Sequence, residues 1–257
     1  MEKVIVQEHF EGQWQQIILK DGKGNIIDLK MMSELMETLE EFKFRPEIKV
    51  ISIEGDGKNF SFGASVEEHK KEMAPDMLKN FHKLFYKFLD VSIPTIAKVS
   101  GYCLGGGMEL AMICNYIFAD NSAKFGQPEI NLGVFAPPAS IILPEKIGLS
   151  KAEELLLGGE TVLAEQAYKI GLVNKLFDTA EELHEQTQQY IEKVFLPKSA
   201  ASLRYAVKAG RVKFSHVLRN FLPSLENLYL IDLMEGYDAN EGIQSFLEKR
   251  KPVWKNQ

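Results

Sequence analysis

Cysteine is scarce in this chain, with two in 257 residues. Cys103 and Cys114 sit among apolar neighbours, with no histidine or further cysteine at metal-ligand spacing. They are expected to be reduced core thiols, which excludes a disulfide framework and gives no metal site. Long apolar runs are missing too. No stretch reaches the roughly eighteen residues that a bilayer span requires. Residues 1–10 hold no cationic segment leading into an apolar run, so a cytoplasmic protein with no membrane partner is expected. Basic charge is not in excess: 30 Lys and Arg against 36 Asp and Glu give a net charge of −6. That balance argues against a nucleic-acid footprint spread over the whole surface. Low-complexity linkers are absent as well. What is there is a globular composition, 45% hydrophobic and 26% charged, in a chain long enough to bury a large core.

The first half mixes strand and helix signals. Residues 4–6 and 15–19 read as short strands, with a glycine-rich turn at 21–24. Leu29, Met32, Leu35, Met36, Leu39 and Phe42 recur at helical spacing, and so do Leu78, Phe81, Leu84, Phe85 and Phe88. Residues 49–53 and 95–99 are apolar strand candidates between these helices. Strand and helix in alternation imply crossover connections and a largely parallel sheet. From about residue 138 helical patterns dominate, at 138–147, 150–157, 164–170, 180–195, 199–209, 215–234 and 239–250, with Pro197 and Pro223 as punctuation. Lys79, Lys83 and Lys87 form a basic stripe at four-residue spacing, read as a solvated face or an anion-binding one.

Two loops place small residues between a strand and a helix. In the first, Gly63 and Ala64 precede a short helix near Val66. In the second, Gly105, Gly106 and Gly107 leave a strand and open a helix. The second loop has neither dinucleotide-fingerprint spacing nor the lysine of a phosphate loop. Backbone N–H groups at such junctions are unpaired, and one donor from each loop would make an oxyanion hole for a polarised carbonyl. Glu109 lies in the first turn of the second helix, and Glu129 follows in Gln127-Pro128-Glu129. Taken singly, such glutamates are ordinary dipole or turn residues. Two carboxyls beside two donors suggest acid–base work.

These segments resemble the crotonase (enoyl-CoA hydratase/isomerase) superfamily. The resemblance rests on Gly63-Ala64, on Gly-Tyr-Cys-Leu-Gly-Gly-Gly-Met-Glu at 101–109, on Gln-Pro-Glu at 127–129 and on the tail at 240–252. It covers essentially the whole chain. It implies a mixed α/β fold, a spiral of ββα units over residues 1–195 carrying the CoA-ester site. Residues 196–257 would form a helical C-terminal trimerisation region, in a homo-oligomer that is a trimer or a dimer of trimers. The partner implied is an acyl-CoA thioester, with no separate cofactor, since CoA is part of the substrate, and with no metal and no nucleic acid. Residue by residue, the resemblance implies the amides of Ala64 and Gly106 as the oxyanion hole and Glu109 and Glu129 as the catalytic pair. Glu109 would act on the water and Glu129 would deliver the proton to carbon. Ala64, Ser65, Val66, Glu67 and Gly105 would contact the substrate, and Phe246 and Lys249 would reach a neighbouring subunit's CoA.

The chain departs from the common family pattern at two places. Ser65 stands where Asp commonly follows Gly-Ala. After the second glutamate, where many hydratases carry glycines, it has Phe135, Pro137 and Pro138. Proline fixes φ and removes an N–H donor, so this wall is expected to be filled and stiff, suited to a flat ring. The run at 60–69 and the Pro-Pro pair resemble the cyclohexa-1,5-diene-1-carbonyl-CoA hydratases of anaerobic benzoyl-CoA degradation. The alternatives are a short-chain enoyl-CoA hydratase, an enoyl-CoA isomerase, or a crotonase-like RNA-binding protein using the lysine stripe.

Overall fold

The computed structural model describes residues 1–22 and 24–257. Lys23, in the turn expected at 21–24, lies outside the described residues. The chain repeats one unit: a strand of a large sheet, a short extended segment of a second sheet, then a helix. The hairpin of β1 (Val4–His9) and β2 (Trp14–Leu19) leads past Ile27 to α1 (Leu29–Lys43). Next, β3 (Val50–Gly55) leads through residues 61–64 to α2 (Ala74–Val91), and β4 (Thr95–Val99) through β5 (Tyr102–Leu104) to α3 (Gly106–Ile113). A fourth unit runs from β6 (Tyr116–Asp120) through β7 (Lys124–Gly126) and a 3₁₀ turn, Pro128–Leu132, to α4 (Pro137–Ile147). Then come α5 (Leu149–Gly158), β8 (Thr161–Leu163), α6 (Ala164–Lys169) and β9 (Lys175–Phe177).

The large sheet has the order β1-β2-β3-β4-β6-β9 and is parallel from β2 onward. In the second layer Ile27 bridges Ala64, Ser61 bridges Cys103, β5 pairs with β7, and β7 with β8. The two-residue period of a strand divides the core between the faces of the large sheet. Ile51, Ala97, Val99 and Ile117 point to the main core with α1 to α4, while Trp14, Val50, Ile96 and Phe118 point to a second cluster with Leu183 and Ile191 of α7 (Ala180–Val194). Burial on both faces explains why these strands are apolar runs. The amphipathic spacing in α1 and α2 has the expected result: Met32, Leu35, Leu39 and Phe42, and likewise Phe81, Leu84 and Phe85, are buried. Asp28 caps α1 by accepting the Met31 N–H at 2.9 Å.

Beyond α7 the chain is helical: α8 (Ala200–Gly210), α9 (Val212–Asn227), a π-helical turn Leu228–Leu233 and α10 (Tyr237–Leu247). Leu218 and Leu222 of α9 and Tyr229 of the π turn join the main core. Pro223 does not punctuate this region as the sequence suggests; α9 runs through it. Pro223 is exposed, and so is Arg219, the residue one turn earlier whose carbonyl a proline deprives of its hydrogen bond.

Candidate active site

Stacked units place their strand-to-helix junctions side by side. Ala64, Gly105-Gly106 and Glu129 belong to three successive units, and this stacking brings residues far apart in sequence together. Two glycines permit the approach. A Cβ on Gly106 would sit 3.0 Å from the Ala64 nitrogen, and one on Gly105 would lie 2.6 Å from Glu129 Oε1. Gly105 also holds φ +49°, which L side chains rarely adopt. Around Ala64 the ladder uses its neighbours: Ile27 N–H donates to Gly63 O at 3.0 Å, and Ser65 N–H donates to Ile27 O at 3.4 Å. The Ala64 N–H is therefore left out of the pairing. Gly106 N–H opens α3, where no carbonyl one turn earlier can accept it. Two unpaired amides thus face one cleft.

Glu109, one turn into α3, is buried. Its Oε1 accepts the Ala139 N–H at 2.7 Å. Pro137 and Pro138 begin α4 and have no N–H, so Ala139 is the first donor at that helix end. Burial pushes the Glu109 carboxyl well above the ordinary range, the Glu129 charge pushes it further, and the Ala139 N–H opposes both. Glu129 is held by Gln127, whose amide nitrogen, turned towards it, donates to Oε2 at 3.0 Å and Oε1 at 3.2 Å. Burial lifts the Glu129 carboxyl to about 7. Two such groups close together do not both ionise, so near neutral pH one keeps a proton and the other can take one.

The two glutamates share a cleft with Ala64, Val66, Gly105, Gly106, Phe135 and Pro137. Ser65 and Glu67 are absent from its lining. The Ser65 carbonyl accepts from His69 Nδ1 at 2.7 Å, and the 3₁₀ turn Glu67–His69 sends Glu67 outward to pair with Lys70. Pro138 is buried behind the wall rather than on it, and Phe246 and Lys249 are exposed away from this cleft. Of the lysine stripe, Lys79 and Lys83 are exposed while Lys87 pairs with Glu40. Sequence reading missed His69 and Tyr229, which both line the cleft. The first was in view, at the end of the run 60–69. The second carried no local signal. Among the described residues there is no cluster of three or more His, Cys, Asp or Glu placed to hold a metal ion, and no helix long and apolar enough to cross a membrane.

Stacked ββα units whose junction amides face paired carboxyls define a class of α/β enzyme built to stabilise negative charge developing on an oxygen. Residues 11–257 match the enoyl-CoA hydratase/isomerase family, and the chain belongs to it as an enzyme of the enoyl-CoA hydratase type with a crotonase fold. Over 246 residues it is 39% identical to cyclohexa-1,5-dienecarbonyl-CoA hydratase of Thauera aromatica, covering 96% of this chain and 94% of that protein. It is 34% identical over 230 residues to a protein named probable enoyl-CoA hydratase in Mycobacterium leprae (strain TN), covering 89% and 88%. The crystal structure of an enoyl-CoA hydratase from Mycobacterium avium subsp. paratuberculosis K-10 superposes with a TM-score of 0.86 over 99% of both chains at 21% identity, a likeness of fold.

Proposed function

We propose that this enzyme adds water to a conjugated cyclic dienoyl-CoA, converting cyclohexa-1,5-diene-1-carbonyl-CoA to 6-hydroxycyclohex-1-ene-1-carbonyl-CoA. The thioester oxygen lies between the amides of Ala64 and Gly106. With the pair's one proton on Glu129, Glu109 takes one proton of a water whose oxygen bonds to the ring carbon β to the thioester. The displaced electron pair moves onto the thioester oxygen, where the two amides stabilise it. As the pair returns, a carbon–hydrogen bond forms at the far end of the diene with the proton from Glu129, and the remaining double bond shifts inward. Proton exchange with solvent resets the two carboxyls.

The observation that carries the ring substrate is the cleft wall. Phe135 and Pro137 line it, and the Phe135 ring packs edge-on against Tyr229 at 5.4 Å between centroids. A stiff aromatic wall favours a flat ring over a flexible chain, and the 39% identity to the dienecarbonyl-CoA hydratase supports the same reading. A short-chain enoyl-CoA hydratase is the second reading, supported by relatives at 34% identity that are named probable enoyl-CoA hydratases. The RNA-binding reading has less support, since Glu40 already engages Lys87 of the stripe. To test the assignment, the purified enzyme is offered the cyclic diene thioester and crotonyl-CoA separately, with gain of one water followed by mass spectrometry. Rapid hydration of the diene with slow crotonyl turnover is expected; rapid crotonyl hydration with an inert diene would overturn the ring assignment.

A further inference from the structure

A buried hydroxyl without a partner is unusual, because buried polar groups are nearly always hydrogen-bonded. Tyr229 is 1% exposed, and its hydroxyl has no hydrogen-bond partner among the described residues. Three other buried side-chain atoms share that condition, on Gln15, His82 and Thr187, and none of them lines the catalytic cleft. Tyr229 does, together with Glu109 and Glu129. Its place is fixed from two sides. The π-helical turn Leu228–Leu233 carries it, a rare backbone form that recurs at functional sites. The Phe135 ring packs against it at 62° between planes.

We propose that the Tyr229 hydroxyl is a third polar group of the catalytic site, holding the water that adds to the substrate and then the hydroxyl which that water becomes. The inference rests on the hydratase reading above. A water has two hydrogens, and Glu109 takes one. The phenol oxygen accepts the other, which leaves an oxygen lone pair free for the attack on carbon. Burial first, and then the charges of Glu129 and Glu109, hold the phenol protonated, so it stays a neutral hydrogen-bonding group while the carboxyls exchange protons. The ring contributes to the wall, and the oxygen supplies orientation. A linear or a cyclic thioester would use this contact equally, because it is made to water.

Tyr229→Phe separates oxygen from ring. On whichever thioester the wild-type enzyme hydrates, kcat is expected to fall roughly tenfold or more, with KM within about twofold of wild type. The melting temperature is expected to hold or rise, because a buried hydroxyl without a partner is removed. An unchanged kcat would overturn the proposal. So would a higher KM at constant kcat, which would place the contact on the acyl body. A clearly lower melting temperature would also overturn it, by showing that the hydroxyl has a structural partner. If the wild-type enzyme hydrates neither thioester, the hydratase reading fails instead.

Discussion

At the level of single residues, the Glu109–Glu129 pair couples chemistry to stability. Glu109→Gln and Glu129→Gln keep shape and remove titration. Each is expected to lower kcat on the order of 10²–10⁴-fold while leaving the KM for the thioester near wild type, measured by steady-state kinetics. The same variants carry a pH signature. Both carboxyls are raised in the folded state, so between the ordinary carboxylate value and the raised one the native protein binds more protons than the unfolded chain. Stability therefore falls as pH rises through that window. The glutamines are expected to raise the melting temperature at about pH 8 and to have a much smaller effect near pH 5. Equal effects at both pH values would show that burial of this pair is not what shifts them. That Glu109, Glu129, Ala64 and Gly106 meet in one cleft was legible through the family resemblance of their motifs, since singly such glutamates and glycine junctions are ordinary. The partners that tune them were not. Ala139 acts through a backbone N–H whose side chain is silent, and Tyr229 approaches only through the packing of α9 and α4.

At the level of elements, the opening of α3 is the tightest passage in the site. Gly105→Ala would force φ +49° on an alanine and drive a Cβ against the Glu129 carboxylate. A stability loss of about 1–3 kcal/mol is expected in denaturant melts. A larger fall in hydration is expected than that stability loss accounts for, since Glu129 must move; near-normal turnover would show that the junction tolerates displacement. The long helices α1 and α2 were readable from the spacing of their apolar residues, and α4 began one residue before its expected start. Strands β7, β8 and β9 have three residues each, too short for a period to show. The second sheet is defined by pairing between units, which no local pattern encodes. Ser65 and Glu67 fall outside the cleft lining, and Glu67, which opens a 3₁₀ turn, pairs with Lys70 instead.

At the level of the whole molecule, large apolar side chains remain in the open. Tyr205, Phe221, Ile231 and Phe246 lie on the C-terminal helices and are more than half exposed. Large apolar side chains left exposed on several C-terminal helices suit an interface, and we expect self-association as a trimer or a dimer of trimers. Light scattering coupled to size-exclusion chromatography reads the mass directly, and a monomer at micromolar concentration would contradict the expectation. The large sheet also bears on how the chain is made. From β1 to β9 its strands lie in the order in which they are synthesised. Each new strand pairs with the large-sheet strand synthesised before it, so no strand has to be inserted between two already paired. Tyr229 is synthesised after every strand of both sheets, so a nascent chain can have its sheets complete and still lack the hydroxyl proposed for the site.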